Sequence, residues 1–361
     1  MKFKTSLILL LCFFTVLTTS SLWSQQYNFG IGAEPKIGYL MPHRSTMAHL
    51  VEQHSYAVEL SGVLQTDGTK QWHHDFNFPK ISVNLFYSDL GNPNVLGEAY
   101  AFSGGIYLPF VKQNGWSLGS ELQAGIGYVT KHYDVDLNPK NNAIGSHVNC
   151  LVSFGLRFEK QILQHVLGMK VSMTHFSNGA YKLPNLGLNL PFLGLNYTYF
   201  MQPINRKDSA SFEREGTELK SWNFSTQLIG SVKQIYPTGG NSYGVIALTN
   251  YAQFKATHKC MIEGGLDLIY NGSTVAYNGG GYSRDKNFQV GVYGAYVLPI
   301  HKFHMFVAMG RYLYKPLYPA GMWYHKFGGR FQIIDKLWAN ISIKSHWAKA
   351  DYFEYGLSYR W

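Results

Sequence analysis

Residues 174–189 read THFSNGAYKLPNLGLN. His175 and Ser177 stand two apart, a spacing that puts both side chains on one face of a β-strand, about 6.5–7 Å apart. An imidazole and a hydroxyl so placed can share a proton across the gap, as a serine must to act as a nucleophile. The chemistry this suggests is acyl transfer: Ser177 attacks an ester and His175 takes and returns the proton. A third group should hold the imidazole tautomer, and Asn189 is the candidate. A tetrahedral intermediate also needs donors beside the nucleophile. Asn178 and the Gly179 amide are the candidates for that oxyanion site. The mechanism calls for no metal and no cofactor.

Which way these side chains point depends on the surrounding chain, and much of that chain alternates with period two. Phe353, Tyr355, Leu357, Tyr359 and Trp361 fall on one face, with Glu354, Gly356, Ser358 and Arg360 on the other. Trp116, Leu118, Leu122, Ala124, Ile126 and Tyr128 oppose Ser117, Glu121 and Gln123. The segments run about 10–14 residues with aromatics near their ends, as tilted membrane strands do. In lipid only a closed barrel satisfies every strand edge. The sequence therefore predicts an all-β fold, an antiparallel transmembrane barrel of about 14–16 strands, as one domain over residues 25–361. VKQNG, EKQI, PIHK and IDK read as tight turns, and HYDVDLNPKNNAIG and NGSTVAYNGGGYSRDKN as long loops. QPINRKDSASFEREGTELKS breaks this rhythm: its parity places it on the short-turn side, yet it is long.

Composition and address agree. MKFK, a short apolar run and TTSSLWSQ form a secretory signal peptide over residues 1–24, cleaved near Ser24 or at Ser21. Aromatics make up 16% of the 361 residues and charged groups only 14%, with 37 Gly. Such an exported, aromatic chain without a long apolar run suits lipid-facing β structure. The net charge of +10, two less once Lys2 and Lys4 leave, fits a surface of anionic lipid phosphates. Export argues against nucleic acid as a partner. Cys150 and Cys260 lack motif context and read as two buried or lipid-facing free thiols, with a disulfide between them as the alternative. The outer membrane of a Gram-negative bacterium is the expected location; a homodimer is compatible.

In ILQHVLGMKVSMTHFSNG, Leu167, Met169, Val171, Met173, His175 and Ser177 share the apolar face. That face is the lipid face elsewhere, so His175 and Ser177 end an outward stripe near the outer boundary. In NLPFLGLNYTYF, Leu193, Leu195, Tyr197 and Tyr199 point outward, which carries Asn189 to the same side. The bland alternative is an interfacial His and Ser meeting headgroups.

HFSNGAYKLPNLGLN resembles the active-site stretch of outer-membrane lipid A 3-O-deacylases. In that family a His-x-Ser-Asn stretch leads to a Pro-Asn-x-Gly loop, and His175, Ser177, Asn178, Pro184, Asn185 and Gly187 match. The resemblance implies an outward-facing esterase site acting on lipid A, or lipopolysaccharide. The family has Glu where Asn189 stands. Outer-membrane phospholipase A has a similar His-x-Ser-Asn-Gly stretch with Asn at that spacing, implying phospholipid as the alternative substrate. The familiar deacylases are eight-stranded and about half this length. The long form resembles chains grouped as acyloxyacyl hydrolases.

Two other features carry less. His73, His74 and Asp75 are adjacent on the chain, and neighbours on an extended backbone point apart, against a shared metal ion. Inward Glu121, Glu263, Asp267 and Glu354 with Arg157, Lys170, Arg330, Lys344 and Arg360 predict a polar lumen network. A barrel of about sixteen strands could instead hold an aqueous channel, so a pore or structural barrel is the competing class.

Overall fold

The computed structural model describes residues 28–203, 219–317, 321–347 and 349–361; the segment 1–24 read as a signal peptide lies outside them. Alternating apolar and polar residues form sixteen antiparallel strands. The first eight are β1 (Asn28–Tyr39), β2 (His54–Gln65), β3 (Lys80–Ser88), β4 (Ala99–Gln113), β5 (Trp116–Val129), β6 (Val148–Ile162), β7 (His165–Ser177) and β8 (Leu188–Phe200). The second eight are β9 (Trp222–Gln234), β10 (Ser242–Thr257), β11 (Cys260–Asn271), β12 (Phe288–Ile300), β13 (Phe303–Tyr314), β14 (Trp323–Ile334), β15 (Leu337–His346) and β16 (Lys349–Arg360).

The strand number matches the sequence pattern, but the closure does not. β1 pairs with β8, from Gly30 opposite Phe200 to Gly38 opposite Phe192. β16 pairs with β9, from Tyr355 opposite Gly230 to Arg360 opposite Ser225. The chain thus closes twice, as two eight-stranded barrels, rather than as the single barrel expected over residues 25–361. The long polar stretch that broke the loop rhythm is the connection from β8 to β9. Its residues 204–218 lie outside those described.

This closure also corrects the channel alternative. Eight strands enclose a space that side chains can fill. In the first barrel Lys170 pairs with Glu34 and Glu121 at 3.0 Å, and Arg157 with Glu34 at 2.8 Å and Glu121 at 2.6 Å. Among Glu34, Lys80, Glu121, Arg157 and Asn196 a cavity of about 20 Å³ remains, room for about one water. In the second, Arg330 grips Glu263 at 2.6 and 2.9 Å, and Lys326 and Tyr324 bind Asp267 at 2.8 and 2.7 Å. The expected lumen network therefore exists as two, each within its own barrel. Lys344 and Arg360 join by another route, lying 4.2 Å over the Tyr324 ring and 4.7 Å over Trp338.

β4–β5, β6–β7, β10–β11, β12–β13 and β14–β15 are joined by two-residue turns at one end. Asn114-Gly115 in the first has φ of 50° and 78°, the left-handed pair that a tight hairpin requires. The helix-bearing connection between β2 and β3, with Gln71–Asp75, is a long segment at this same end. At the opposite end, loops after β1, β3, β5 and β7 lie over a buried cluster that includes Leu40, Met47, Leu50, Leu90, Ile144 and Phe176. That apolar plug stiffens the mouth of the first barrel, where the candidate site lies. Cys150 and Cys260 are free thiols.

Candidate active site

The burial pattern of β7 gives the orientation directly. Leu167, Met169 and Val171 are exposed, while Lys170, Ser172 and Thr174 are buried in the lumen. His175 and Ser177 share the parity of that exposed face, though Ser177 itself is only 4% exposed. Between them Phe176 points inward, fully buried, with its ring 6.0 Å from that of Phe86. It anchors the backbone beneath the pair.

His175 and Asn189 are direct cross-strand partners, closer than the loop-spanning placement the sequence suggested. The His175 Nδ1–H donates to Asn189 Oδ1 at 2.6 Å. This bond fixes the tautomer and leaves Nε2 as the proton acceptor. The ladder also sets where Nε2 can reach. Phe176 opposes Leu188, so one further step brings Gly187 opposite Ser177. The His175 ring lies over Gly187: a Cβ added there would stand 2.6 Å from Cε1 and 3.2 Å from Nε2. Only glycine leaves the ring this seat, and its φ of +82° asks for glycine independently. The Ser177 side chain has no hydrogen-bond partner among the described residues. Gly187→Ala is expected to lower kcat by about 10²-fold, the usual result of a misplaced catalytic group of about 1 Å. Steady-state kinetics on the folded variant checks it; a rate near wild type would show that the ring does not need this seat.

Sequence reasoning missed His43. Asn189 uses its other end to donate from Nδ2 to His43 Nδ1 at 2.9 Å, across 146 residues. The barrel closure accounts for this, since Met41 N–H donates to the Asn189 carbonyl at 2.9 Å, just beyond the end of β1. The Leu186 carbonyl lies beside the His43 ring, while burial and then Arg44 hold its pKa below the ordinary 6.5. Neutral His43 thus offers a lone pair to the Asn189 amide and orients its oxygen at His175. No local motif marks this residue.

The two oxyanion candidates separate. Asn178 is built into the loop: Nδ2 donates to Ser146 Oγ and to the Lys182 carbonyl, both at 2.8 Å. Its N–H donates to Asn185 Oδ1 at 3.0 Å. Asn178 therefore shapes the turn, against the expectation of a free donor. The Gly179 N–H has no acceptor among the described residues and remains available. His73 and His74, away from this site, bond within their own loop. His73 Nδ1 faces Asp67 and the Gly68 N–H, and His74 Nε2 lies 2.6 Å from the Gly68 carbonyl. Burial pushes the His73 pKa down to about 4.

Residues 57–200 match the family model of lipid A 3-O-deacylase (PagL), and residues 222–361 match that of the acyloxyacyl hydrolase C-terminal domain. The chain belongs to this family. The match boundaries follow the barrels: one covers most of the first and the other the whole of the second. Family membership makes the protein an outer-membrane hydrolase of lipid A esters. No curated protein matches the chain. Among solved structures, two mutants of the Rh. blastica porin share 11% identity, over 93% of this chain and 100% of theirs, at a TM-score of 0.19. A third mutant of that porin stands at 12% and 0.20. A likeness at that level carries no weight for the fold.

Proposed function

We propose that this protein removes an ester-linked acyl chain from lipid A by serine catalysis at a site on the lipid-facing outer wall of its first barrel. The observation that carries this reading is the His175–Asn189 hydrogen bond on the same outer face as Ser177. Ser177 attacks the ester carbonyl while His175 Nε2 takes its proton, and the Gly179 amide stabilises the developing oxyanion. The imidazolium returns the proton to the leaving sugar hydroxyl. Water, activated by the same imidazole, then releases the fatty acid from Ser177. A membrane-facing site suits this substrate, because the ester arrives sideways within the leaflet. The amino-terminal leader, if cleaved near Ser24, supplies the export route.

The test is lipid mass spectrometry of outer membranes containing the protein. Lipid A lacking one acyl chain is the expected product. Lysophospholipid in its place would transfer the reading to a phospholipase, which also uses Asn as orienter; no change in either lipid would end the esterase reading.

His43 adds a pH dependence with a definite sign. Its lowered pKa keeps it neutral at neutral pH. On acidification a protonated Nδ1–H would face the Asn189 NH₂ donor to donor, turning the amide and withdrawing Oδ1 from His175. The relay is intact above the His43 pKa and lost as pH falls through it. His43→Ala is expected to lower kcat about tenfold, worth one ordinary hydrogen bond, with KM unchanged. Steady-state kinetics at neutral pH decides; an unaltered kcat removes His43 from the relay.

A further inference from the structure

The second barrel meets the first beside the candidate nucleophile. A Cβ added at Gly179 would stand 2.3 Å from Cδ2 and 2.6 Å from Cε2 of Phe353, so the Phe353 ring lies directly against this loop residue. Gln234, the last residue of β9, holds the same loop twice. Its N–H donates to the Ala180 carbonyl at 2.8 Å, and its Oε1 accepts from the Leu183 N–H at 3.0 Å. Tyr355 follows two residues after Phe353, on the same face of β16. Phe353 and Tyr355 lie on the outer face of β16, where Tyr355 and Leu357 are 55% and 53% exposed.

The second barrel contains no His-x-Ser stretch after residue 200, so it has no copy of the site it touches. Its outer wall nonetheless lays the Phe353 ring against Gly179, two residues beyond Ser177. An acyl chain whose ester lies at Ser177 must run from the outer end of the strands toward the membrane interior. That path runs down between the outer faces of β6–β7 and of β16.

We propose that the second barrel is the specificity wall of the first barrel's esterase site, with Phe353 the residue that reads the acyl chain beside the ester. This rests on the proposed function. Phe353 gives the chain a rigid apolar surface on its second side, where fluid lipid would otherwise lie. Gln234 keeps the Gly179 amide in register with that surface. A wall of this kind discriminates by chain length and branching, since every methylene along it adds contact.

The experiment uses full-length protein in outer-membrane vesicles, with mass spectrometry of the fatty acids released from lipid A carrying mixed chain lengths. Phe353→Ala is expected to change the long-to-short product ratio about tenfold, while the variant keeps the heat-modifiable gel migration of a folded barrel. Phe353→Leu, which keeps an apolar side chain, serves if the alanine variant does not fold and should shift the ratio in the same direction. An unchanged ratio in a folded, active variant overturns the proposal and leaves the esterase reading standing. Absence of any released acid from the wild type overturns both, and so distinguishes the two failures.

Discussion

Ser177→Ala should abolish deacylation while leaving both barrels folded. The expected fall in kcat is at least about 10⁴-fold, because a catalytic serine cannot be replaced by its neighbours once its oxygen is gone. Stability should move by no more than about 1 kcal/mol. Ser177 sits at the end of β7, and its hydroxyl holds no partner among the described residues, so alanine breaks no structural hydrogen bond. Fatty-acid release from lipid A measures the first quantity and the temperature of barrel unfolding on gels the second. His175→Ala should fall equally far, and the double variant no further, since the two groups act as one unit. A Ser177→Ala variant with wild-type release would place the nucleophile elsewhere.

Asn189→Leu is the second large effect. It removes at once the acceptor for the His175 Nδ1–H and the donor to His43 Nδ1. The imidazole can then rotate or adopt the wrong tautomer. A loss on the order of 10³-fold in kcat is expected, below the ~10⁴-fold loss seen when a carboxylate orienter is altered, because a neutral amide stabilises the imidazolium less. Asn189→Asp keeps an acceptor opposite His175 and should retain activity within about tenfold of wild type. Equal, severe losses in both variants would mean that the position serves the β7–β8 ladder rather than the imidazole. Kinetics of the two folded variants side by side settles the point.

The contrast between Asn189 and His43 shows what a sequence exposes. Asn189 was legible because it stands fourteen residues from His175 on the neighbouring hairpin strand, where parity decides the face. His43 was not, since it reaches Asn189 only when β1 closes onto β8, and the closing pair of a barrel has no local signature. Asn178 shows the opposite failure. A polar residue next to a nucleophile reads as a donor to substrate, but its hydrogens are consumed by Ser146, Lys182 and Asn185. Only the three-dimensional loop reveals that use. Gly187 was visible as a family match, yet its physical reason, the imidazole occupying the space a Cβ would take, emerged only from the fold.

By itself the sequence determined the β class, the number of strands, and the strand parity that His175, Ser177 and Asn189 share. These follow from the strict two-residue period of side chains on a strand, which is local and survives any arrangement of strands. Only the tertiary structure decided that the sixteen strands close as two barrels, that their lumens are filled, and that Phe353 of one lies against Gly179 of the other. Closure depends on which distant edges pair. Alternation is the same in a barrel of sixteen as in two of eight, so the pattern cannot distinguish them. The long connection at residues 201–221 was the one trace of the break, and its meaning emerged only once both ladders had closed.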